Sequence, residues 1–521
     1  MTFMVQIIVQ WELILMYEMV NNMKESLDFI QKQQKELSVF GGIGALLGWD
    51  QMTYMPKQGA TDRSEHAALI STLSHERVVS DEFWQHIKTL STSIETLEKK
   101  DQIIVKKLEE DVEKARKVPS DFVTRMVKAT TISYQKWEEA RGKNDFTLFS
   151  PHLKEIIELE KEYCGYISLP GPRYNTLLDD YEEGMTVEKL KHEFNHLKKG
   201  LIDLLFDIKN SKTYQHDLHE IKFNAETQKR ITDHFLQQMG LPENRFRIDE
   251  STHPFTTKIG YDDVRITTNY QKENALFSLF STIHEAGHAL YELGLPQNEY
   301  KNTVISDSPS LGIHESQSRF WENMIGRSRP FWDYFYSDIS QISPGLPEKY
   351  TLDAWYQRIN RIEPSLIRVE ADELTYCLHV ILRFEIETGL MDESIQVDEL
   401  PHIWNERMEE MLGIKPGNDV EGVLQDMHWS GGNIGYFPTY AIGTIYAAQL
   451  YKTLTSKHPE TIDQIKQGQF GQITNWLHEN IHQHGRKYQA EELIQNTCGE
   501  GLNSQVFLNY LKEKYYPLYD L

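Results

Sequence analysis

Two histidines and a glutamate carry the strongest chemical signal in this chain: His284-Glu285-Ala286-Gly287-His288, an H-E-x-x-H pattern. Around it Leu276, Leu279, Phe280, Ile283, Gly287 and Leu290 recur at steps of three and four, which predicts a helix with one buried stripe. Side chains four apart on a helix lie about 5–6 Å from each other, so His284 and His288 are placed to grip one metal ion. Glu285 is turned about 100° around the axis, beside the ligands and not among them. That is where a base for a metal-activated water belongs. Gly294 and Pro296 mark the end of the helix.

A catalytic zinc takes three protein ligands and keeps one position open. A metzincin would place the third ligand where this chain has Gly294 and a glycine where it has Tyr291, so that class is excluded. A second helix-like run, from Ser310 to Glu322, offers Glu315, with room before it for a loop and an antiparallel return. Glu292, Glu299 and Glu322 compete with it on sequence grounds.

The elements that must position these groups are mostly helical. The 521 residues are ample for a large core, and 54 Lys and Arg against 78 Asp and Glu give a net charge of −24. That balance, without a long basic patch, argues against a nucleic-acid surface. Cys164, Cys377 and Cys498 are odd in number and widely spaced, which points to a reducing compartment, the cytoplasm, and away from a cysteine metal site. Residues 1–22 are apolar but interrupted by Glu12 and Glu18, with no preceding basic residue and no cleavage site. The stretch reads as neither signal peptide nor membrane span. It is expected to be an N-terminal extension from a misassigned start, with Met19 or Met23 as the first natural residue and 23–521 as one domain.

Helices are expected from Lys24 onward, with a break from Trp49 to Gly59, and the strand-like region is 253–270. There two β-branched runs flank Gly260-Tyr-Asp-Asp263, reading as a hairpin that leads straight into the H-E-x-x-H helix. Such a strand beside a cleft can hold a peptide by its backbone. Further on, a helix is expected to carry Ile367 to Asp372 through Phe384, and a Gly-rich loop runs from Ser430 to Pro438.

Six motifs taken together resemble the carboxypeptidase Taq family of zinc metallocarboxypeptidases: His253-Pro-Phe255, Asp263-Val-Arg265-Ile-Thr267, His284-Glu-Ala-Gly-His288, His314-Glu-Ser-Gln317, Ile367-Arg-Val-Glu-Ala-Asp372 and Gly422-Val-Leu-Gln-Asp426-Met-His-Trp429. The match runs over nearly the whole chain from about Lys24 and leaves out only the apolar extension. The resemblance implies a mainly α, two-lobed peptidase with a deep central groove and a small β-sheet beside the active site. It also implies a homodimer that removes single C-terminal residues from peptides with broad preference, and it assigns Glu315 as the third zinc ligand. One ion per chain is expected, with cobalt or another divalent metal able to substitute.

In that scheme Glu285 takes the proton of the attacking water and passes it to the leaving amine. Fixed donors aimed at the carbonyl oxygen stabilise the developing charge. Tyr436 and His428 are the candidates, Tyr436 by likeness to a loop in the wider helical-groove peptidases. Arginine suits a terminal carboxylate because its planar fork matches two oxygens, and Arg368 is the leading choice. On the family pattern Arg265 lies with His253 at the far end of the cleft. An endopeptidase or dipeptidase of the same class is the alternative, and no membrane partner is expected.

Overall fold

The computed structural model describes residues 2–214, 221–271 and 273–521. Among them are 21 α-helices and one three-stranded sheet. No described helix is long and apolar enough to cross a membrane.

The first helix is longer than expected. Thr2–Thr53 is continuous through Trp49 and Asp50, 52 residues or about 78 Å at 1.5 Å per residue. Its first buried side chain among the described residues is Met23; Trp11, Met16 and Tyr17 are exposed. From Met23 on, the helix packs Ile30 into a small core with Phe83, Ile87 and Leu90. The chain turns only at Tyr54–Pro56, where proline removes a donor.

The expected hairpin is present, within a sheet of three strands: β1 (Phe246–Glu250), β2 (Thr256–Gly260) and β3 (Asp263–Thr268), in the order β1-β3-β2. β2 and β3 are antiparallel, with Thr256 opposite Ile266 and a register irregularity between Lys258 and Gly260. β1 runs parallel to β3 and was not foreseen. The central strand buries Val264, Ile266, Thr267 and Thr268 completely, which fixes its register.

β3 leads into the motif helix, Ala275–Gly294, capped by the Asn274 side chain on Phe277 N and ending at the expected glycine. Ser310 caps a second helix, Leu311–Arg319, which passes directly into a π-helical turn, Phe320–Gly326. Glycines set how closely these helices meet. A Cβ on Gly287 would stand 2.7 Å from Gln317 O, and one on Gly443, in the helix Pro438–Lys457, 2.6 Å from the Cβ of Glu315. Residue 315 is therefore held between the motif helix and Pro438–Lys457 without side chains to separate them.

Candidate metal centre and its cavity

His284, His288 and Glu315 meet with their donor atoms all within 4.8 Å of one another. Glu315 Oε2 lies 3.7 Å from His284 Nε2 and 3.5 Å from His288 Nε2. The three other acids do different work. Glu322, carried back by the π-helical turn, takes His284 Nδ1 at 2.9 Å. Glu292 pairs with His314 Nε2 at 2.9 Å and with Lys258 Nζ at 3.3 Å. Glu299 is exposed. Arg319, which the sequence reading passed over, donates to Glu315 at 2.7 Å and to Glu322 at 3.3 Å, and stacks on the Tyr376 ring at 4.2 Å.

His288 and Glu315 are in the protonation states that suit a cation, while at His284 burial is outweighed by Glu315 and Glu322, which raise it and favour its proton. Burial and the neighbouring His314 press His288 down to about 3, so its imidazole is neutral and has a lone pair to give. Burial would raise the Glu315 carboxyl, but Arg319, His284 and His288 outweigh it and hold the group ionised, far below the usual carboxylate range. Glu322 is likewise drawn down to about 2 by Arg319 and His284 against its burial. Two imidazoles, one carboxylate and a second carboxylate on the back of His284 form a donor set suited to a divalent metal.

Glu285 is 7% exposed. Its Oε2 accepts the Thr256 hydroxyl at 2.6 Å. Burial raises its carboxyl above the ordinary value, partly offset by His284 and Thr256. The centre opens on a cavity of about 1560 Å³, lined by Glu285, His314, Arg368, Tyr436, Tyr440 and His253 among others. That exceeds the roughly 300–1,000 Å³ of small-molecule pockets.

The other candidates separate into cavity and wall. Arg368 is not on a helix: it starts a short 3-10 turn, Arg368–Glu370, and the helix begins at Tyr376. Asp426 fixes it, not the neighbouring Glu370 and Asp372. Arg368 Nη2 donates to Asp426 at 2.8 Å and Nη1 to the Tyr376 hydroxyl at 2.8 Å. Arg383, unforeseen, donates to the same carboxylate through Nε at 2.8 Å. A lone cation inside the apolar run from Val380 to Phe384 was the signal that could have flagged it. Two arginines against one carboxylate leave a net positive charge. Burial and these arginines push the nearby His379 to about 3 and His428 to about 4.

Tyr436 lines the cavity, its ring edge-on to Tyr181 at 5.4 Å and to Tyr440 at 5.3 Å. His428 is not among the lining residues; it stands behind Tyr436, with its ring 4.5 Å from Phe437 and its Nδ1 3.8 Å from Asp426. Arg265 is not among them either. Its Nε and Nη2 donate to Asp263 at 2.9 and 2.8 Å, and it lies 4.2 Å above the Trp49 ring, tying the first helix to the sheet. His253 does line the cavity.

The comparisons with known proteins agree with this geometry. The family model for the carboxypeptidase Taq (M32) metallopeptidases matches residues 29–515. Carboxypeptidase 1 of Bacillus subtilis is 39% identical over 486 residues, 93% of this chain and 97% of that protein. Thermostable carboxypeptidase 1 of Pyrococcus furiosus is 38% identical, over 94% of this chain and 98% of that one. The crystal structure of an M32 carboxypeptidase from Deinococcus radiodurans superposes with a TM-score of 0.92 at 35% identity, covering 95% of this chain and all of that one. With two histidines, a carboxylate and a buried glutamate converging on one cavity, the chain belongs to the carboxypeptidase Taq (M32) family and is a metallocarboxypeptidase acting on peptides.

Proposed function

We propose that this enzyme uses one zinc ion, held by His284, His288 and Glu315, to remove single C-terminal residues from peptides with broad preference. Zinc, when bound, supplies a Lewis acid that polarises the scissile carbonyl and acidifies a water. Glu285 accepts that water's proton at the carboxylate oxygen Thr256 does not occupy, and returns it to the leaving amine. Its burial raises the carboxyl above its ordinary value, the direction that helps a group both take and return a proton.

Arg368 meets the terminal carboxylate of the peptide. Three of its five N–H bonds go to Asp426 and Tyr376, through Nε, Nη2 and Nη1. One hydrogen on each terminal nitrogen is left for the substrate, and the net positive charge of the Arg368–Arg383–Asp426 cluster favours an anion. The Tyr436 hydroxyl is the donor for charge building on the carbonyl oxygen. His428 acts through Tyr436, whose ring lies 5.4 Å from its own, and His253 contacts the more distant part of the peptide. We further propose a cytoplasmic location, in keeping with three free cysteines, and, from the family resemblance, a homodimer.

The observation that carries this reading is the convergence of three metal donors beside a buried glutamate in one cavity with Arg368. Metal content and turnover of two variants test it. Glu285→Gln is expected to keep its zinc and lose nearly all turnover; Glu315→Ala is expected to lose the metal. A metal-free Glu285→Gln protein beside a zinc-replete Glu315→Ala protein would reverse the roles.

A further inference from the structure

Among the described residues, one side chain reaches the Glu285 carboxylate with a hydrogen bond, and it comes from the sheet. Thr256 opens β2, and its Oγ1 lies 2.6 Å from Glu285 Oε2 and 3.0 Å from Glu285 O. A hydroxyl that touches both the side chain and the main chain of one residue registers that side chain against the helix carrying it. At 2.6 Å the bond to the carboxylate oxygen is a short one.

The hydroxyl is itself held in place. Phe255, the residue before it, is locked to β3 on both sides of its peptide: Phe255 N donates to Thr267 Oγ1 at 2.9 Å, and Thr267 N donates to Phe255 O at 2.9 Å. Thr267 is fully buried, and Ser251 donates to its hydroxyl at 2.7 Å. Thr256 also sits directly opposite the buried Ile266. The strand end cannot slide without breaking this set. Phe255 and Thr256 both line the cavity, so the contact is made at its wall.

We infer that Thr256 is the positioning residue of the reaction: its hydroxyl clamps one oxygen of Glu285 and leaves the other turned to the cavity. The inference rests on Glu285 being the base. It gives the hairpin a positioning task beyond any grip on the peptide backbone, since β2 carries, among the described residues, the side chain that holds the base's carboxylate. Without the clamp, the carboxylate explores other rotamers, and fewer of them face the reacting water.

The test uses the metal-loaded full chain with Thr256→Val, Thr256→Ser, Glu285→Gln and the Thr256→Val/Glu285→Gln pair. Valine keeps the branched shape that suits a strand, so the fold and metal content should be kept, with the thermal midpoint lowered only by the loss of one hydrogen bond. For Thr256→Val, kcat should fall roughly ten- to a hundred-fold, the scale of a misplaced catalytic group. KM should stay within about twofold, because ground-state binding is untouched. Thr256→Ser should restore most of the rate, and a crystal structure of Thr256→Val should show Glu285 released from β2. In the Glu285→Gln background, adding Thr256→Val should change the residual rate little, because the group it positions has lost its function.

Equal losses in both backgrounds, or a serine variant as slow as valine, would overturn the inference. Full turnover by Glu285→Gln alone would instead remove the base assignment on which it rests, so the two failures are distinguishable.

Discussion

Replacing Arg368 by alanine separates carboxypeptidase recognition from mere structural support. Arg368 is 5% exposed and lines the cavity. A charge-assisted hydrogen bond contributes about 1.5–3 kcal/mol. Leaving the substrate carboxylate desolvated and unpaired raises the loss to about 2–5 kcal/mol. At ~1.4 kcal/mol per factor of ten, kcat/KM for free-acid peptides should fall roughly ten- to several-thousand-fold. The fold should survive, because Asp426 keeps Arg383, whose Nε and Nη2 hold the same carboxylate at 2.8 and 2.5 Å. Losses of about 3–5 kcal/mol arise when a buried charge is left with no partner, which is not the case here. The assay is kcat/KM for a matched acid and amide pair on wild type and Arg368→Ala, with zinc content measured alongside. Only the acid should slow, and zinc should be unchanged. If acid and amide slow by the same factor, Arg368 supports the fold and the carboxylate is met elsewhere.

Three further outcomes follow from the packing and charges. Glu322→Gln weakens the partner of His284 Nδ1, so metal affinity should drop about 10–100-fold in a chelator competition; an unchanged affinity would detach Glu322 from the centre. Gly287→Ala puts a methyl group 2.7 Å from Gln317 O, so it should both lower the melting temperature and weaken metal binding by displacing Glu315; a neutral result would refute the close-approach argument. Glu160 is raised from 4.5 to about 8 by burial and by the Asp180 and Glu387 carboxylates. Its protonated form therefore supports the fold below pH 4.5, and that support is lost as pH climbs toward 8. Glu160→Gln does not titrate, so its urea stability relative to wild type should rise across that window; a difference flat in pH would contradict the assignment.

Much of this was legible in the residues themselves. The H-E-x-x-H helix, its stop at Gly294, the second helical run from Ser310 and the β2–β3 hairpin each follow from local periodicity and turn chemistry. What escaped depends on distant partners. β1 is short and parallel, and its identity as a strand comes from pairing Phe246–Glu250 with residues 18 positions later, a relation no local window contains. Arg368 is expected on the helix that runs on through Phe384, yet it sits on a short turn before that helix and its anchor is Asp426, 58 residues away. The same limit hid Arg319 and Thr256, whose importance lies in which carboxylates they touch. For Arg265 the neighbouring acid at Asp263 was visible, but the Trp49 ring that occupies its other face was not.

The most direct test of the account is the time course of products from a mixed peptide digest, followed by mass spectrometry with and without a chelator. Each peptide with a free C-terminus should shorten one residue at a time from that end, amidated versions should persist, and the chelator should stop the series until zinc is returned. Internal fragments, dipeptides released as units, equal loss of amidated peptides, or shortening that continues in chelator would contradict a metal-dependent carboxypeptidase built on His284, His288 and Glu315.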